Sequence, residues 1–123
     1  MTEQIDKHTH NENLPLTFNI DWGVHGMLKM LADYQFESVL DIGSGAGEHK
    51  RFFEAFGKTV FSVDVAHDAD YQGDILTAPI DRQFDAIWCS HVLEHQCNVG
   101  VFLQRIYDLL ADDGVLAIIL PTH

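Results

Sequence analysis

Residues 43–47 read Gly-Ser-Gly-Ala-Gly and stand between an apolar run, Ser38-Val39-Leu40-Asp41-Ile42, and a stretch with helical spacing over residues 48–56. Few segments constrain a fold as tightly. Glycines let the backbone turn sharply and let a ligand approach a main chain without side chains in the way. The helix that follows presents unpaired N–H groups at its start. Strand, bare turn and helix in this order open an α/β unit, although a plain strand-to-helix turn uses the same residues.

The rest of the chain repeats the alternation. Residues 59–65 form a second strand-like run, residues 71–75 a weaker third, residues 84–90 an apolar fourth and residues 115–120 a fifth. Runs without polar alternation suit strands covered on both faces. Helical spacing over residues 21–34 comes from Val24, Met27, Leu28, Leu31 and Tyr34, with Asp21 as N-cap. Phe52, Phe53 and Phe56 share one side of the next helix, which Gly57 stops. Asn98 caps a third helix with apolar Phe102, Leu103, Ile106, Leu109 and Leu110, stopped by Asp112-Asp113-Gly114. This order predicts a Rossmann-like three-layer α/β/α sandwich with a mostly parallel sheet of about five strands. Residues 1–20 read as a polar tail and lead-in, and residues 21–123 as the domain. Ligands of such sheets bind beyond the carboxyl ends of the strands, so the informative residues are those just after each strand.

Composition narrows the partners. Seven Lys and Arg oppose 19 Asp and Glu, a net charge of −12. Backbone binding to nucleic acid needs clustered cations, so neither nucleic acid nor an anionic membrane surface is expected as a partner. No apolar run reaches the ~20 residues of a membrane span, and the opening MTEQIDKHTH lacks the apolar core of a signal peptide. Cys89 and Cys97 read as reduced thiols, which points to the cytoplasm. A hydrophobic fraction of 46% is ample for a core.

Spacing within the glycine turn separates two cofactor classes. The dinucleotide fingerprint G-x-G-x-x-G/A requires a small residue at position 48, which is Glu. A negative side chain there would face pyrophosphate, which disfavours a nicotinamide-dependent oxidoreductase. Asp64 ends the second strand 21 residues after Gly43. A carboxylate at that place can accept hydrogen bonds from both hydroxyls of a ribose.

These segments together resemble the class I S-adenosylmethionine-dependent methyltransferases. The resemblance runs through residues 39–47, 62–65, 73–75, 84–95 and 109–116, and Ser90-His91-Val92-Leu93-Glu94-His95 is most like the subgroup acting on small metabolites. It implies S-adenosylmethionine as cofactor and a small-molecule acceptor. Gly43, Ser44, Gly45 and Gly47 would line the methionine and ribose portion, and Asp41 would help hold the amino group. Asp64 would bind the ribose, with Val65 against the adenine. Asp74 would meet the adenine amino group, Ile75 would pack on the ring, and Ser90 would lie near the methionine end. His91 is the candidate general base, needed where the acceptor is a poorly acidic hydroxyl or amine. The alternative for His91 and His95 is packing or capping of a short helix.

Other features have competing readings. His91-Val92-Leu93-Glu94-His95 matches a zinc-peptidase pattern, but no metal is expected, because that class needs a further acidic ligand on a larger body. His67, Asp68 and Asp70 read as a solvated loop near the adenine. Asp85, at the start of its strand, reads as structural, and Trp88 as core. Trp22 reads as packing or as part of a lid.

The family's sheet usually has seven strands, whereas this sequence is read as carrying five. Residues 115–120 would then be an apolar edge, open to a homodimer or to a partner strand. A shortened chain, or a non-catalytic cofactor-binding subunit, is the alternative to a complete enzyme.

Overall fold

The computed structural model of the chain describes residues 2–3, 23–43, 47–65 and 68–120. In chain order the elements are β1 (Thr2–Glu3), α1 (Val24–Asp33), β2 (Ser38–Ile42), α2 (Glu48–Ala55), β3 (Thr59–Asp64), β4 (Tyr71–Gln72), β5 (Phe84–Ser90), a 3-10 turn (Leu93–His95), α3 (Val99–Leu109) and β6 (Leu110–Ile119). The sheet order is β1-β6-β5-β2-β3-β4. β2 through β6 pair in parallel, and β1 pairs antiparallel with β6. Strand order reverses between β5 and β3, on either side of β2, which is the switch point where such sheets open a crevice.

The expected three layers are present. Met27 and Met30 of α1 and Phe52 and Phe53 of α2 pack with Val39, Val60, Ala86, Trp88 and Ala117 on one face of the sheet. Phe102, Ile106 and Leu109 of α3 pack with Leu40, Ile42, Val63, Phe84 and Ile87 on the other. Each such side chain removed from water contributes roughly 1.5–3 kcal/mol before entropy is counted. Trp88, fully buried on β5, is core as expected.

Several boundaries differ from the sequence expectation. α1 begins at Val24 behind Gly23, and the expected cap Asp21 lies outside the described residues. α2 ends at Ala55 and β3 at Asp64, one residue earlier than expected. The third strand is Tyr71–Gln72 alone, because Gly73 takes a φ of 130° and Asp74 starts a turn whose carbonyl receives the Thr77 and Ala78 N–H groups. Asn98 caps α3 through its side chain, which accepts from the Val101 N–H. The last strand starts at Leu110, not at residue 115. Leu110 pairs with Phe84, and the ladder resumes at Ala86 and Val115 after a shift in register. Asp112-Asp113-Gly114 therefore bulges within the strand instead of separating helix from strand. Asp113 has φ 61°, and a Cβ on Gly114 would come within 2.7 Å of Leu110. Leu103, expected on the apolar side of α3, is 39% exposed. Thr2–Glu3, expected within the tail, adds a sixth strand, and among the described residues it pairs with Ile118 and Ile119 on the β6 edge.

Candidate functional site

Three strands end at one place: β2 at Ile42, β3 at Asp64 and β5 at Ser90. A crevice of about 120 Å3 opens there, lined by Gly43, Asp64, Val65, Asp74 and Ile75 together with Ile42, Val63, Gly73, Val92 and Gln96. The first five are among the residues expected at the site, so the fold gathers them from three separate turns. Ser44 and Gly45 lie outside the described residues, as do Trp22 and His67. Gly47, Ser90 and His91 do not line this crevice. Ser90 is 9% exposed at the end of β5, opposite Ile119.

A backbone bond fixes Gly43, the first residue after β2. The Gly43 N–H donates to the Val63 carbonyl at 2.9 Å, which joins the ends of β2 and β3. Gly43 has φ 74°, and a Cβ on it would overlap Val92 Cγ2. Glycine is needed here to seat Val92 as much as to leave room for a ligand. Gly47, with φ 83°, precedes α2 and supplies no side-chain cap.

Asp41 lies on β2, two residues before Gly43. It is fully buried, and among the described residues neither carboxylate oxygen has a hydrogen-bond partner. Burial raises its pKa to about 7, the Asp64 carboxylate adds to the rise, and Lys50 opposes it. A buried carboxylate without a partner costs several kcal/mol if ionised, so such a group signals a ligand or a function. Cys89, buried on β5 opposite Ile42, has its thiol pushed up to about 12 by burial and by the Asp41 and Glu94 charges. It is inert as a nucleophile.

Around the crevice, side chains fix the loops. Asp74 Oδ1 accepts the Leu76 N–H at 2.8 Å. Arg105 of α3 donates to the Ile75 carbonyl at 3.0 Å and to the Ala78 carbonyl at 2.7 Å, clamping the segment after β4. Val65 is 74% exposed at the rim. Asp70 accepts from Lys50 Nζ at 2.7 Å and from the Ser62 N–H at 2.9 Å. Burial would raise its pKa, but the Lys50 and Ser62 hydrogen bonds outweigh this and hold it below the ordinary value. Asp70 is thus a structural anchor between β3 and β4. Sequence reading missed Val92, Gln96 and Arg105. The first two follow β5 directly, a position that is itself a signal; a long-range clamp such as Arg105 leaves none.

His91 follows β5 with φ 59°, an uncommon backbone for a residue with a side chain. Its N–H donates to the Ile119 carbonyl at 2.9 Å, and its Nδ1 lies 3.8 Å from Glu94 Oε2. His95 is largely exposed, its Nε2 3.9 Å from the same oxygen. The two histidines do not share an α-helical face, because only Leu93–His95 are helical and the turn is 3-10. Among the described residues no group of three His, Cys, Asp or Glu is placed to hold a metal ion. No helix of the described residues is long and apolar enough to cross a membrane.

The opposite end of the sheet holds a larger hollow of about 670 Å3, bordered by Tyr34, Glu37, Lys58, Asp85 and Asp113. Its carboxylate Asp85 is already committed: Oδ2 accepts the Glu37 N–H at 3.0 Å and the Ser38 N–H at 3.1 Å, as the structural reading of this residue expects. The smaller crevice lies at the carboxyl ends of the strands.

Fold and crevice together define a doubly wound α/β domain with a crevice at the carboxyl ends of its strands. The methyltransferase-domain family matches residues 23–123, and the chain belongs to that family. No curated protein sequence matches the chain. Among solved structures it is similar to DhpI in a complex with SAM and HEP (24% identity, TM-score 0.61, 71% of this chain and 48% of that one). It is also similar to Burkholderia thailandensis 1,6-didemethyltoxoflavin-N1-methyltransferase, solved with 1,6-didemethyltoxoflavin and S-adenosylhomocysteine (25% identity, TM-score 0.62, 68% and 44%). The glycopeptide N-methyltransferase MtfA has the same fold at 14% identity (TM-score 0.63, 76% and 50%). The chain spans half or less of the length of these structures.

Proposed function

We propose that the protein binds S-adenosylmethionine in the crevice at the ends of β2 and β3 and serves methyl transfer to a small-molecule acceptor. The observation that carries this reading is Asp41, a fully buried carboxylate on β2, two residues before Gly43, with neither oxygen partnered among the described residues. A cationic amino group nearby would remove the cost of ionising it. The family membership and the S-adenosylhomocysteine bound to the Burkholderia enzyme support the same reading.

When bound, S-adenosylmethionine supplies an electrophilic methyl group on a good leaving group. This chain's residues then have positioning work. Asp41 would hold the amino group, Gly43 with Ser44, Gly45 and Gly47 would give a bare main chain along the methionine and ribose, and Asp64 would accept from the ribose hydroxyls. Val65 and Ile75 would flank the adenine, and the Asp74 carboxylate, with Oδ1 turned to Leu76, would meet its amino group through Oδ2. Ser90 would stand near the methionine end. His91 would accept a proton from a hydroxyl or amine acceptor, and its position after β5 with Glu94 beside it supports this role. A net charge of −12 suits a neutral or cationic acceptor. Free thiols at Cys89 and Cys97 support a cytoplasmic location.

The edge of β6 carries a second part of the proposal. Among the described residues β1 pairs with Ile118 and Ile119, and the apolar residues 115–117 just before them would take a strand from a second copy. A monomer by sedimentation velocity at all concentrations would remove this part. Isothermal titration with S-adenosylmethionine and S-adenosylhomocysteine tests the main reading. Saturable binding of both is expected; no heat and no thermal protection with either would overturn it.

A further inference from the structure

One row of side chains crosses the sheet under the first turn of α2. Ser62 on β3, Asp41 on β2 and Trp88 on β5 are in register and share the face that α1 and α2 cover. His49 and Lys50, the second and third residues of α2, are tied to the two flanks of this row. Lys50 reaches Asp70, which holds Ser62. Trp88 Nε1 donates to His49 Nδ1 at 3.0 Å, with the two rings edge to face at 5.6 Å. The ties differ in rigidity. Lys50 and Asp70 are partly exposed, and ion pairs of that kind are weak. Trp88 is fully buried, and Gly23 closes over its indole so tightly that a Cβ there would stand 2.9 Å from Cζ2.

The direction of the hydrogen bond fixes the chemistry of His49. An indole N–H only donates, so Nδ1 carries no proton and the ring is neutral with its proton on Nε2. Among the described residues, α2 has no side-chain N-cap. Its N-cap is Gly47, which has no side chain to bond the free N–H groups of the first turn. We propose that His49 and Trp88 are a positioning pair: their hydrogen bond sets the first turn of α2 and with it Gly47, the helix N-cap that belongs to the proposed cofactor site. Its consequence for the cofactor rests on the function proposed above; the fixing of the helix start does not.

The test uses His49→Leu, which removes the acceptor, His49→Asn, whose Oδ1 can replace Nδ1, and Trp88→Phe, which keeps a ring and removes the donor. Two readouts are taken: amide exchange in the protein without ligand, and the Kd for S-adenosylhomocysteine. In His49→Leu and Trp88→Phe, exchange at residues 51–53 is expected to quicken about tenfold while α3 residues 102–106 hold their rates, and the Kd to rise about tenfold. The double variant adds nothing further, and His49→Asn stays within about twofold of the parent. Unchanged exchange at residues 51–53 in His49→Leu, equal quickening in α3, or an Asn variant as impaired as the Leu variant would overturn the proposal. If the parent protein binds no S-adenosylhomocysteine while exchange behaves as expected, the cofactor reading fails and the positioning of α2 stands.

Discussion

Gly43 backs onto Val92 with no space between them: a Cβ on the glycine would overlap Val92 Cγ2, and the glycine's φ of 74° already excludes most side chains. The end of β2 and the turn after β5 are thus seated on each other at the crevice. Gly43→Ala is expected to cost about 2–4 kcal/mol in urea unfolding, from left-handed strain and overpacking together. Val92→Ala in the same chain should recover the overpacking part and leave the strain.

Asp41 gives stability the opposite pH dependence from that of a paired carboxylate. Its folded pKa is raised, chiefly by burial, from 3.8 to about 7. The folded state therefore holds a proton that the unfolded state has lost between these values. Its contribution is fully present below pH 3.8 and is lost as pH rises to about 7. Asp41→Asn should remove that decline and be more stable than the parent at pH 8 by roughly 2–4 kcal/mol. The same variant should bind S-adenosylmethionine more weakly, by calorimetry, because it cannot carry the charge.

Asp85 behaves in the ordinary sense. Hydrogen bonds from the Glu37 and Ser38 N–H groups hold its pKa below 3.8. Its stabilisation is present above that value and is lost as pH falls through the lower folded one. Asp85→Ala should cost about 1 kcal/mol at pH 7, at the low end because solvent reaches the carboxylate. The affinity for S-adenosylhomocysteine should not change, since Asp85 lies at the far end of the sheet.

Asp64→Ala should weaken cofactor binding by roughly 1–3 kcal/mol, the range for a lost charge-assisted hydrogen bond. Titration calorimetry reads this directly. Equal affinity would reassign Asp64 to the strand end alone.

His91→Ala separates catalysis from folding. With an acceptor that must lose a proton, turnover should fall by 10²–10⁴ while the Kd for S-adenosylhomocysteine stays unchanged. Unchanged turnover would leave His91 as the residue that turns the chain after β5.

Much of this molecule was legible in the order of its residues. Apolar runs at residues 38–42, 59–64 and 84–90 are strands because each is buried on both faces, and burial on both faces leaves a run without polar alternation. The glycine turn and the carboxylate that ends β3 were visible for a related reason: both depend on local backbone geometry at a strand end. The boundaries of β4 and β6 were not. Gly73 and the Asp112-Asp113-Gly114 bulge obey local turn rules, and only pairing with a neighbouring strand decides whether such a turn ends an element or interrupts it.

The chain's own order determined a parallel sheet, a bare turn at its switch point and the carboxylates that face it, since periodicity and glycine placement act over a few residues. Tertiary structure alone decided that Asp41 is left without a partner among the described residues, that Val92 fills the space behind Gly43, and that Trp88 meets His49 across 39 positions. These are contacts between segments distant in sequence. Their geometry exists only once the helices have closed over the sheet.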